Sequence, residues 1–76
     1  SELNLVYRRL VDNRPNRSPF IRDAQRAWIV YRDKECAVTA AAWQGGSGQS
    51  MAVSICKTEL TRERIRHLRE HLENRD

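Results

Sequence analysis

The sequence predicts a small all-α domain of three or four helices, built on an antiparallel helical hairpin that a disulfide holds together. Apolar residues recur at helical spacing along the chain, and no strand-like alternation extends beyond four residues. A glycine-rich segment at residues 45–48 marks one sharp turn. The two cysteines, Cys36 and Cys56, lie ten residues on either side of Gly46. Together these features favour two helices that fold back on each other.

The symmetric cysteine spacing predicts a staple across this hairpin. If both flanks of the turn are helical, equal distances from Gly46 bring the sulfurs of Cys36 and Cys56 to the same height, close enough to bond. A disulfide persists in an oxidising compartment, so the bridge predicts an exported protein. Two free thiols are the alternative.

Size and charge narrow the class of protein. Seventy-six residues predict one domain, residues 1–76, with a core that supplies only ~3–5 kcal/mol before any staple. No apolar run reaches the ~18 residues of a transmembrane helix, and the start of the chain does not resemble a signal peptide, which we expect to be removed or outside this sequence. The fourteen Lys and Arg are interleaved with ten Asp and Glu. Interleaved charges are typical of a solvated surface. They favour a protein over a nucleic acid as the binding partner.

The first two helices are predicted from apolar spacing. Leu3, Val6, Tyr7 and Leu10 mark one face of a first helix, and residues 12–17 interrupt it at a proline. Ser18 is predicted to cap a second, longer helix with Pro19 in its first turn, ending near Ala42. Its predicted core-facing line consists of Phe20, Ile21, Ala24, Ala27, Trp28 and Tyr31.

The chain after the turn has two interpretations. Ser50 is predicted to cap a third helix, and Thr61 either caps a fourth or lies within the third. The first helix is short, and helices below ~12 residues are marginal without tertiary contacts. We therefore expect it to pack on a partner chain or on sequence that is absent here.

No pattern in the chain predicts catalysis or a bound cofactor. His67 and His71 fit the H-x-x-E-H spacing of a zinc protease, and Glu63 could supply a third ligand. A helix with five residues after His71 offers no cleft, so a solvated helical end is favoured over a metal site. The glycine turn lacks the lysine and the preceding strand of a phosphate-binding loop. The sequence therefore predicts a protein that is not an enzyme and holds neither metal nor cofactor.

The aromatic residues divide into two groups. Trp28 and Tyr31 are predicted in the core, with Arg32 either extending over the indole of Trp28 or pairing with an acidic residue. Trp43 lies beside the glycine turn, where it either anchors a partner or closes the end of the small core.

These residues form an ordered motif that resembles the LprI-like lysozyme-inhibitor family. The resemblance covers nearly the whole chain. It runs through Leu3, Asn4 and Tyr7, through residues 24–28 with Tyr31, Arg32, Asp33 and Cys36, and through residues 45–47, Cys56, Leu60, Thr61 and Arg64.

The resemblance implies an exported bacterial protein, periplasmic, secreted or lipid-anchored, with an all-helical fold and a Cys36–Cys56 disulfide. It also implies inhibition of a lysozyme, with Trp28, Tyr31, Arg32, Asp33 and Arg64 as the structural motif. Family members usually carry a further segment before the first motif, so this domain is expected to lack one. The net charge of +4 opposes a strongly basic lysozyme and favours another envelope-directed enzyme, toxin or envelope component.

The predicted function is therefore binding of a protein partner, with occlusion of the cleft of a lysozyme or another envelope enzyme. The predicted contact residues form the turn: Trp43, Gln44, Gly45, Gly46 and Ser47. The alternative is a structural, assembly or immunity-type domain without lysozyme activity, including a homodimer formed through the exposed side of the first helix.

Overall fold

A computed structural model describes residues 1–74, which form three α-helices and one short 3-10 turn. The helices are α1 (Glu2–Asn13), α2 (Ser18–Ala42) and α3 (Gln49–Glu73), and the 3-10 turn is Pro15–Arg17. α2 and α3 form the predicted hairpin, and α1 packs mainly on α3 at the end remote from the turn. The molecule is a rod of 47 × 18 × 18 Å. No helix within residues 1–74 is both long and apolar enough to cross a bilayer.

The predicted disulfide is present and joins the two arms of the hairpin. The Cα atoms of Cys36 and Cys56 are 5.7 Å apart, which is ordinary for a bonded pair. Cys36 is 1% exposed, so the bridge itself fills the narrow space between α2 and α3.

The apolar core lies where α1 crosses α3. Val6, Leu10, Ile65 and Leu68 form its buried centre. Leu3, Tyr7, Ile21 and Leu72 pack around that centre. Arg14, just after α1, donates hydrogen bonds to the carbonyl oxygens of Leu72 (3.0 Å) and Asn74 (2.9 Å). This side chain therefore satisfies carbonyls that the end of α3 would otherwise leave unpaired.

The predicted helix starts were displaced by one or two residues. Arg17, not Ser18, occupies the cap position of α2, because the 3-10 turn leads directly into the helix and Ser18 already has helical angles. Gly48 occupies the cap position of α3, so Ser50 lies inside the helix. Thr61 caps nothing, since α3 continues unbroken over 25 residues. The open choice is thus resolved in favour of one helix after the turn.

The predicted core line of α2 was wrong for four of its residues. Ile21 is half-buried and Trp28 lies against α3, whereas Phe20 is 75% and Tyr31 50% exposed. Ala24 and Ala27 are exposed as well. The line that faces inward instead consists of Ile21, Gln25, Trp28, Arg32 and Cys36. Two polar residues in that line are accommodated by specific contacts, which apolar periodicity does not detect.

Candidate functional site

The end of the hairpin beyond the disulfide, residues 36–56, is a distinct surface that we call the tip. A chain that is 32% charged has none of its 24 charged residues in this segment. Ala42, the last residue of α2, lies six positions beyond Cys36, so the turn projects roughly 9 Å past the bridge. The tip is therefore an uncharged, covalently supported end of the rod.

Backbone hydrogen bonds give the turn a defined shape. The N–H of Trp43 donates to the carbonyl oxygen of Thr39 at 3.1 Å, and the N–H of Gly46 donates to that of Trp43 at 2.9 Å. Gly45 has φ of +79°, a left-handed conformation that glycine adopts without a steric penalty. The chain can thus reverse within six residues while the end of α2 stays paired.

Trp43 both covers the turn and faces solvent. A Cβ added to Gly48 would lie 2.9 Å from the Trp43 ring atom Cζ3, closer than such contacts allow. The indole therefore lies directly over Gly48, and any larger residue at this position would displace the ring from where it lies. Half of the Trp43 surface stays exposed, so the ring is held in position and remains accessible to a partner.

Other large apolar side chains of the tip are also exposed. Val38 is 66%, Met51 70% and Ile55 52% exposed. The amide of Gln49 donates to the carbonyl oxygen of Ala40 at 2.6 Å and links the two arms below the turn. Exposed apolar surface without charge is typical of the centre of a protein–protein interface.

Trp28 is the centre of a second, partly buried cluster in the middle of the rod. The guanidinium carbons of Arg32 and Arg64 lie 5.3 and 6.0 Å from the centre of its ring, within cation–π distance. Arg64 also donates from Nε to the Oε1 of Gln25 at 2.9 Å. Burial lowers the pKa of the Arg64 guanidinium from its ordinary value, since desolvation disfavours the charged form.

The remaining motif residues lie around this cluster. Arg32 donates to Asp33 Oδ1 from Nε at 3.0 Å, and the Nζ of Lys57 lies 4.0 Å from the same oxygen. These contacts connect α2 to α3 one turn from the disulfide. Tyr31 is directed outward and contributes to a different face of α2. The arrangement supports the helix pair and brings together no group suited to catalysis.

A cleft of about 380 Å³ lies at the opposite end of the rod from the tip. It is lined by Leu10, Arg14, Arg17, Phe20, Ile21, Ala24, Arg64, Leu68 and His71. Arg14 and Arg64 already donate to carbonyl and amide oxygens of the chain itself. Two of the cationic groups around the cleft therefore have structural roles.

The histidine pattern does not assemble a metal site in the described part of the chain. No group of three or more His, Cys, Asp or Glu side chains within residues 1–74 is placed to hold a metal ion. His71 is exposed and His67 half-buried on α3.

Sequence reasoning assigned no structural role to three polar residues that organise the helix packing. Gln25 is 7% exposed and accepts a hydrogen bond from Arg64. Gln49 links the two arms of the tip, and Arg14 donates to a carbonyl oxygen at the end of α3. Polar residues on an inward line give no apolar signal, so the first two were not detectable from periodicity. The absence of charge between Cys36 and Cys56 was readable from the sequence and points to the tip.

Comparison with known proteins places these features in a family. The family model described as "Lysozyme inhibitor LprI" matches residues 1–68. An uncharacterized protein of Rhizobium meliloti (strain 1021) is 46% identical over 54 residues, which is 71% of this chain and 39% of that protein. The chain thus spans well under half of the curated relative it matches. No solved structure matches it.

Proposed function

The chain belongs to the LprI family of lysozyme inhibitors, and on this premise we propose that it is an exported module that inhibits a lysozyme or another envelope-directed enzyme by inserting its tip into the cleft. The periplasm or the cell exterior suits both the disulfide and such a target. Binding of a protein partner, rather than catalysis, is the activity that the family implies.

The observation that carries this proposal is the tip itself. It combines Trp43, held in position over Gly48, with a flanking apolar surface that lacks charge. Large, preorganised aromatic side chains dominate the energetics of interfaces because they bury much area and lose little conformational freedom. A narrow end stiffened by a disulfide suits a concave target.

The charge distribution affects which target fits. All of the net +4 charge lies outside the tip, so a target cleft contacts neutral residues while the rest of the rod repels a basic enzyme at long range. Long-range repulsion slows association and weakens with salt. We therefore propose that a less basic lysozyme, or an acidic envelope enzyme, is a better target than a strongly basic one.

The test is a titration of lysozyme activity with oxidised protein, using a strongly basic animal-type enzyme and a less basic one. We expect stoichiometric inhibition of the less basic enzyme, and inhibition of the basic enzyme that improves as salt is raised. Failure to inhibit either enzyme, with helicity confirmed by circular dichroism, would contradict the lysozyme assignment and favour the alternative structural or immunity-type role.

Replacing Trp43 with alanine is expected to weaken binding of the inhibited enzyme by about 30-fold, equivalent to about 2 kcal/mol for a central interface aromatic. The dissociation constant is measured by calorimetry with the enzyme identified in the titration. Leu5→Ala is the matched control, because it removes an apolar side chain that is 67% exposed on α1, away from the tip.

A second variant separates loss of contact from loosening of the turn. Ser47 is exposed within the turn, so Ser47→Arg adds bulk and charge without removing a packed side chain. We expect it to weaken inhibition while thermal unfolding stays unchanged. Full inhibition by both Trp43→Ala and Ser47→Arg would show that the turn is not part of the contact surface. Inhibition would then have to come from another face of the domain.

A further inference from the structure

The outward face of α2 carries an apolar line that the fold of one chain leaves uncovered. Seven positions with alternating spacings of four and three residues lie on it, and all seven are exposed. They are Phe20, Ala24, Ala27, Tyr31, Lys34, Val38 and Ala41. We call this set the α2 stripe. Six of the seven are apolar or aromatic, and the spacing is that of a helix–helix seam with a 3.5-residue repeat.

This stripe is more apolar than the line by which α2 contacts its own chain. The inward line includes Gln25 and Arg32, whereas the outward line has Lys34 as its single charged member. In a typical surface helix of a globular protein the distribution is the reverse, with the apolar face toward the core and the polar face toward water. Because the more apolar face of α2 points away from its own chain, we infer that α2 has a second contact, with another molecule.

The stripe is complementary to itself when a second copy is laid antiparallel. With the two-fold axis at the height of residue 29, midway between Ala27 and Tyr31 along α2, each large side chain faces a smaller one or an alanine. Phe20 meets Val38 of the second copy, and Ala27 meets Tyr31 of the second copy, with each contact repeated by symmetry. Large and small residues then interdigitate from Phe20 to Val38, and Ala41 extends past the paired positions because its counterpart, Arg17, precedes α2.

The charged member of the stripe also has a partner in this register. Lys34 faces Ala24 of the second copy, whose neighbour Asp23 lies on the same edge of α2. Asp23 has a 3.8 Å contact with Arg26, and both side chains are about 80% exposed, so that pair is weak. Lys34 and Asp23 therefore supply a charge pair across the seam at each of two symmetric positions.

We propose that the α2 stripe is the interface of a homodimer in which two copies pair antiparallel through α2. The proposed interface is therefore on α2 and not on the exposed side of α1, where Leu5 is the exposed large apolar side chain. The stripe is about 32 Å long and one helix, about 10 Å, wide. That area is small compared with stable interfaces, so the dimer is weak and reversible.

The arrangement has a consequence for function that rests on the function proposed above. An antiparallel pair centred on residue 29 places the two tips at opposite ends of the dimer. The seam takes up Val38 of each tip, whereas the turn with Trp43 lies beyond the last paired position, so one dimer presents two binding ends. Dimerisation itself does not depend on inhibition, and it is tested without any target enzyme.

The experiment is sedimentation equilibrium of the oxidised protein from roughly 10 µM to 1 mM, a range suited to a weak interface. We expect the average mass to rise from one chain toward two. Ala27→Glu places a carboxylate at the centre of the seam and should leave the protein monomeric throughout, with unchanged helicity because Ala27 is exposed. Leu5→Glu, which places the same carboxylate at an exposed position of α1, should leave dimerisation unchanged.

A charge exchange tests the register. Asp23→Lys and Lys34→Asp should each weaken the dimer at least several-fold, because each places like charges opposite one another. The double variant restores opposite charges across the seam and should dimerise like the unaltered protein. A protein that is monomeric at every concentration, a dimer that tolerates Ala27→Glu, or a double variant that stays monomeric would each overturn the proposal.

Discussion

Replacing Leu68 with alanine is expected to destabilise the domain by about 3 kcal/mol or more, because the side chain is fully buried where α1 meets α3. The vacated volume is bordered by Leu10 and Ile65, and two packed helices cannot close it completely. A core of this size supplies only ~3–5 kcal/mol. The variant should therefore approach the limit of folding at 25 °C, as measured by urea denaturation followed by circular dichroism.

The matched control is Leu5→Ala, which makes the same chemical change at a side chain that is 67% exposed. We expect its urea midpoint to lie close to that of the unaltered protein, since surface substitutions seldom exceed ~0.5 kcal/mol. Equal losses at both positions would contradict the location of the core. Because α1 supplies Val6 and Leu10 to this core, the Leu68 variant should also release α1 first.

The positions of the helices were predictable from the sequence, whereas the face of α2 that packs on α3 was not. Apolar spacing gives the number and extent of helices because every helix must bury one face. For α2 the more apolar face lies outward, while Gln25 and Arg32 face α3 with their polar groups satisfied by Arg64 and Asp33. The Gln25–Arg64 contact joins residues 39 positions apart, and local periodicity carries no information about it; Arg32 pairs with the adjacent Asp33, which apolar spacing does not register either.

The candidate site was predictable where local geometry determines it. The cysteine spacing and the glycine turn define the hairpin and position Trp43 at its end, because both depend on residues close in sequence. The ring of Trp43 over Gly48 and the cap that Arg14 places on α3 depend on packing between helices. The first helix illustrates the same limit. It was expected to need an absent partner, yet its apolar face is buried on α3 within the chain.

These observations divide the rod into two halves that are stabilised differently. The half with α1 has the buried cluster of Val6, Leu10, Ile65 and Leu68. In the tip half the fully buried side chain is Cys36, and the neighbouring apolar side chains are largely exposed. The disulfide is therefore the main constraint on the half that we propose to contact the target.

Replacing both cysteines with alanine is accordingly expected to lower the free energy of unfolding by about 3 kcal/mol, the chain-entropy value for a loop of this length. The sequence separation is 20 residues, and most of the gain comes from restricting the unfolded chain. Urea denaturation of the double variant and of the oxidised parent gives the difference. Equal urea midpoints for the double variant and the oxidised parent would contradict this expected loss of stability.

Removal of the disulfide should also destabilise the two halves of the rod unequally. This distinguishes a bridge that stabilises only the tip from one that stabilises the whole domain. Without the bridge, the tip has the hydrogen bond from Gln49 to Ala40 and few buried contacts to keep its arms together. Amide hydrogen exchange should therefore accelerate between residues 37 and 55 well before it does around Ile65 and Leu68. A tip that opens in this way no longer holds Trp43 in place, so inhibition should fall even where most of the helical structure survives. Exchange that accelerates equally in both halves would mean that the disulfide supports the whole domain, and the separate role of the tip would have to be abandoned.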